Sequence, residues 1–125
     1  MKKNDESGQP GAMVAPEATL ERWAAKTWKE GVQINELQEL DIVSVETAHH
    51  VYEITIINPS TGEVLIRGGE LFPQRTEAQV LGASMGHSFL KLLGIYVGLR
   101  MEFKAGGRRF ITSPVRSVNP MHVVR

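Results

Sequence analysis

The sequence predicts a mainly β protein: a small antiparallel barrel or rolled sheet of five to six strands, with one N-terminal α-helix. Three observations carry that prediction. Between residues 40 and 116 apolar side chains recur at every second position in several short runs, clusters of turn-forming residues separate those runs, and helical spacing appears once, between residues 16 and 30. Strands do not alternate with long helical runs, which argues against a parallel α/β sheet.

A chain of 125 residues fits one domain. Its 42% hydrophobic and 22% charged content is that of a folded globular chain and not of a disordered one. There is no cysteine, hence no disulfide, and no run approaches the roughly 18 apolar residues that cross a bilayer. The expected setting is cytoplasmic, without membrane contact.

Residues 1–15 are polar and rich in Gly, Ser, Asn and Pro, and are expected to form a disordered leader before a single domain over residues 16–125. In that domain Leu20, Trp23, Ala24, Thr27 and Trp28 share one helical stripe. Pro16 and Glu17 suit the start of a helix over 16–30, and Lys29 and Gly31 suit its end. Trp23 and Trp28 are expected to pack this helix on the barrel.

The period then changes from 3.6 to 2. In "LDIVSVE" (residues 40–46) Val43 and Val45 share a face, while Leu40 and Ile42 fall in the opposite phase, which predicts a bulge or bend. "VYEITII" (51–57) places Tyr52, Ile54 and Ile56 together, "NPSTG" (58–62) is a turn, and Val64 and Ile66 return, so these runs predict a hairpin. In the middle, "TEAQVLG" predicts a strand with Ala78 and Val80 inward, and "HSFLKLLG" a short helical turn ended by Gly94.

The longest alternation is residues 95–104. Ile95, Val97, Leu99, Met101 and Phe103 face one way, and Tyr96, Gly98, Arg100, Glu102 and Lys104 the other. "AGG" then turns the chain. A two-residue turn at Gly106 and Gly107 pairs Glu102 with Ile111 and Val97 with Arg116, mixing polar and apolar side chains on both faces. A three-residue loop pairs Lys104 with Arg108, Met101 with Ile111 and Val97 with Val115, keeping the inner face apolar, and is the expected register.

That register places Tyr96, Arg100, Lys104, Arg108, Phe110 and Arg116 on the outer face of a 94–116 hairpin. Cations contact phosphates and rings stack on bases, so the face suits a polyanion or nucleic acid. Charge counting agrees. Residues 1–87 hold 7 Lys+Arg against 13 Asp+Glu, and residues 88–125 hold 7 against 1, so near-neutrality conceals halves of about −6 and +6. Complementary halves also fit a self-assembling or protein-interaction domain.

Other chemistry is weakly encoded. His49 and His50 are adjacent and point to opposite faces of a strand, and no metal-binding spacing occurs, so no metal or cofactor is expected. Neither a "GxSxG" elbow nor a phosphate-binding loop is present. An enzymatic reading requires Ser84 or His87 in a cavity beside a base or a carboxylate. The expectation is a non-enzymatic module.

The arm-and-barrel layout resembles the small bacterial barrels of the PilZ type, which bind cyclic dinucleotides through arginines in a leading arm and a later Asp/Asn-x-Ser-x-x-Gly. Asn58, Ser60 and Gly62 in "NPSTG" are one residue short of the second motif. In "RWAAK", Arg22 is followed by Lys26 where a second arginine belongs. The resemblance implies a cyclic-dinucleotide sensor as an alternative function.

Overall fold

The computed structural model describes residues 23, 28, 30–86 and 88–121. The expected leader and most of the expected helix lie outside the described residues. Among the described residues Trp23 is helical, and a 3-10 turn follows at Ile34–Glu36.

Nine strands form. They are β1 (Gly31–Gln33), β2 (Ile42–Thr47), β3 (Val51–Asn58), β4 (Glu63–Gly68), β5 (Phe72–Ser84), β6 (Leu90–Leu92), β7 (Gly94–Tyr96), β8 (Arg100–Ala105) and β9 (Arg108–Met121). Six of them close on themselves: β2, β3, β4, β5, β8 and β9 each pair antiparallel with the next, and β9 pairs back with β2. The result is a ring in sequence order, which leaves the six strands without a long free edge.

Alternation explains the core. Val43 and Val45, Tyr52, Ile54 and Ile56, Val64 and Ile66, and Met101 and Phe103 all point into the ring and are buried. The β3–β4 hairpin forms over the expected residues, and the bend before β2 falls at Leu40, whose φ is 71°. Ala78 and Val80 turn inward from β5 as expected.

Residues 90–92 are strand, not helical turn. Gly82 has φ 155°, and a Cβ there would lie 2.2 Å from the Lys91 carbonyl oxygen. The absent side chain lets β6 pair against Gly82–Ser84 across a short turn, a pairing that the spacing within residues 87–94 does not reveal.

The 95–104 alternation is not one strand. β7 pairs with β1 in a separate two-stranded sheet, and a turn at residues 97–99 leads into β8. Gly98 makes the break possible with φ 89°. The break places Tyr96 in a second cluster with Ala83 and Leu99, against which Trp23 and Trp28 pack. Trp28 meets Tyr96 edge-on at 4.9 Å and Trp23 at 5.1 Å, so both tryptophans pack on the body of the protein, as their spacing predicts.

Candidate anion-binding hairpin

The β8–β9 hairpin uses the other register. Gly106 and Gly107 form a two-residue turn, with φ 59° and 80° that favour glycine, and Ala105 pairs with Arg108, Lys104 with Arg109, Phe103 with Phe110, and Glu102 with Ile111. The mixing of faces is avoided by a bulge. Thr112 and Ser113 stand opposite Met101, so Arg100 pairs with Pro114 and Val115 returns to the core. The Thr112 hydroxyl accepts from the Met101 N–H at 3.0 Å and takes over the missing ladder bond.

This register redistributes the expected site. Arg100, Lys104, Arg108 and Arg116 are all exposed. Lys104 and Arg109 are direct cross-strand neighbours on the outer face, Arg108 lies at the tip, Arg100 donates to the Thr112 carbonyl at 3.2 Å, and Arg116 lies on β9 beyond the bulge. Tyr96 is not beside them: it is 5% exposed, and its hydroxyl donates to Gln33 Oε1 at 2.9 Å. Burial, and secondarily the Glu36 carboxylate, raise its pKa above 10.0. Phe110 is half-buried, stacked on Phe103 at 5.2 Å, with the Arg108 guanidinium 5.3 Å over its ring.

Two residues went unnoticed at the sequence level. Glu102, expected on the solvated face, is 2% exposed, and Arg109 donates to its Oε1 through Nε at 3.0 Å and through Nη2. The hairpin's single carboxylate is thereby withdrawn beneath an arginine whose side chain is 56% exposed. No local signal marks this. Glu102 lines a cavity of about 440 Å³ together with Ser84, residues 88–90, Arg109 and Ile111.

Ser84 lines the same cavity, 1% exposed, with its hydroxyl accepting from the Gly86 N–H at 3.1 Å. His87 lies outside the described residues. Among the described residues no three His, Asp or Glu are grouped to hold a metal, and no helix is long and apolar enough to cross a membrane.

The "NPSTG" residues form the β3–β4 turn. Asn58 Oδ1 accepts from the Ser60 N–H at 3.0 Å, its carbonyl accepts from the Gly62 N–H at 3.0 Å, and Gly62 has φ 84°. Turn formation accounts for all three residues, and Arg22 and Lys26 lie outside the described residues. Searches with protein-family models, curated proteins and solved structures found no match to this chain.

Proposed function

We propose that this protein is a non-enzymatic binding module built on a small barrel, and that it contacts the phosphates of a single-stranded nucleic acid through the β8–β9 hairpin. One observation carries the reading. Arg100, Lys104, Arg108 and Arg116 are exposed on one hairpin and form no ion pair among the described residues, while its only carboxylate, Glu102, is buried under Arg109. Unneutralised cations on a narrow support bind polyanions by releasing the counterions condensed on them. With Tyr96 in the second cluster, stacking is left to Phe110, so the contact is mostly ionic and insensitive to base sequence.

In the cavity that Ser84 and Glu102 share, both the Ser84 hydroxyl and the Glu102 carboxylate already hold protein partners, which supports binding over catalysis there. The test is retention on heparin and on an immobilised mixed oligonucleotide. Wild type is expected to bind both and to elute with salt, and Arg100→Glu with Lys104→Glu to flow through. Retention unchanged by that double reversal overturns the assignment.

A second reading, self-assembly, has its own support. Leu40, Ile57 and Met121 are exposed and lie close together, since Leu40 bonds to the Ile56 carbonyl and Ile42 pairs with Met121. A concentration-independent monomer in light scattering removes this reading.

A further inference from the structure

One open end of the ring holds a cavity of about 410 Å³, within the range of small-molecule sites. The β2–β3 turn contributes His50, the start of β3 Tyr52, the β4–β5 turn Glu70, and β9 Phe110 and Ser113. Its floor is a run of rings. Tyr52 meets Phe103 edge-on at 6.3 Å, Phe72 meets Phe103 at 5.7 Å and Phe110 at 5.4 Å, and His50 stands edge-on to Tyr52 at 6.0 Å. Burial raises the Tyr52 pKa above 10.0, so its hydroxyl stays protonated and available as a donor.

We propose that this mouth is a nucleotide-binding site, taking a base against His50 and Tyr52 and its phosphate on Arg108, which the Phe110 ring holds at the lip. The inference rests on the reading of the hairpin as an anion contact and names the unit that contact recognises. Flat rings on the floor match the π-face of a base, which stacks on aromatic side chains whatever its sequence. Polar groups at the wall, the Tyr52 and Ser113 hydroxyls and the His50 imidazole, match the donors and acceptors of a base edge. Polarity follows from charge. Glu70 lines the cavity on the β4–β5 side and repels a phosphate, whereas Arg108 lies over the Phe110 ring on the hairpin side. The base therefore enters and the phosphate stays outside, where Lys104 and Arg109 continue the cationic track for a longer strand.

The test titrates AMP, GMP, CMP and UMP separately into the full chain by calorimetry, with circular dichroism confirming the fold of each variant. At least one nucleotide is expected to saturate at one per chain. Phe110→Leu should weaken it about tenfold by removing the ring that lines the mouth and holds Arg108 at its lip. Tyr52→Phe, which removes only a hydroxyl, and Arg108→Gln should each weaken it several-fold. Absence of saturable binding up to about 1 mM for all four nucleotides overturns the site. So does binding that ignores Phe110→Leu but is lost on Lys104→Glu, which leaves the anion contact of the hairpin standing. Failure of both nucleotides and oligonucleotides to bind removes both readings together.

Discussion

Arg109 and Glu102 form an asymmetric pair, and the asymmetry is testable. Glu102 is 2% exposed, whereas half of the Arg109 side chain reaches solvent. Arg109→Met leaves a carboxylate in the interior with less compensation, and is expected to destabilise the fold by about 2 kcal/mol, below the usual loss for a fully buried pair because solvent screens the arginine. Glu102→Gln releases Arg109 to water and should cost less. Urea unfolding of both variants checks the order, and a larger loss for Glu102→Gln contradicts it. The pair was illegible in the sequence because alternation assigns Glu102 to the outer face, and outer face ordinarily means water. Here Arg109, brought beside it by the two-residue turn, lies on the carboxylate, a pairing that depends on the register.

Tyrosine burial gives a residue-scale pH dependence. The pKa values of Tyr52 and Tyr96 are both raised, by desolvation first and, for Tyr96, also by Glu36. A raised folded-state value means that the unfolded chain releases its proton first as pH rises. Stability from these groups is therefore complete below about pH 10, the unfolded value, and is lost as pH climbs through it toward the folded values. Thermal melts between pH 8 and 11 should show Tm falling only at the alkaline end. Tyr96→Phe should blunt that fall.

At the scale of the elements, the β8–β9 hairpin shows where sequence reasoning stops. Rejecting the two-residue turn assumed an unbroken ladder, under which Val97 would meet Arg116. The Thr112–Ser113 bulge removes that conflict by adding one residue to β9, and the Thr112 hydroxyl satisfies the Met101 N–H left over. Thr112→Val keeps the shape and removes that acceptor, so it should cost about 1–3 kcal/mol by stranding a buried donor. At the tip, Gly106→Ala and Gly107→Ala meet no neighbouring atoms, so any loss there, about 1 kcal/mol each, comes from the positive φ alone. Gly106→Asn should restore most of it, since asparagine tolerates that conformation. Equal losses for Ala and Asn contradict the backbone explanation.

The β5–β6 contact depends on Gly82 in a different way. A Cβ at Gly82 collides with the Lys91 backbone, so Gly82→Ala should release β6 and speed amide exchange at residues 90–92, while amides of the ring stay protected. Elements with local alternation and their own turns, such as the β3–β4 hairpin, were legible throughout. The pairing of β7 with β1 requires a distant backbone and was not, and neither was β6, whose pairing with β5 across a short turn depends on Gly82. Helical and strand readings of "HSFLKLLG" differ only through Gly82, some ten residues away.

For the whole molecule, the mainly β character, the antiparallel pairing and the cationic hairpin were all visible in alternation, turn residues and the charge split. What the sequence missed is the burial of Tyr96, which lies just before the strand break at Gly98. The exposed cations nevertheless fall on a single hairpin in either register, because a one-residue change of turn moves arginines between face and tip without burying them.

Binding of a labelled mixed single-stranded oligonucleotide, followed by anisotropy across a salt series, tests that hairpin most directly. With four phosphate contacts the logarithm of the binding constant should fall against the logarithm of salt concentration with a slope near −3, and Arg100→Glu with Lys104→Glu should weaken binding and flatten the slope to about half. A slope near zero, or an unchanged slope in the double variant, contradicts the assignment of the hairpin as the nucleic-acid contact.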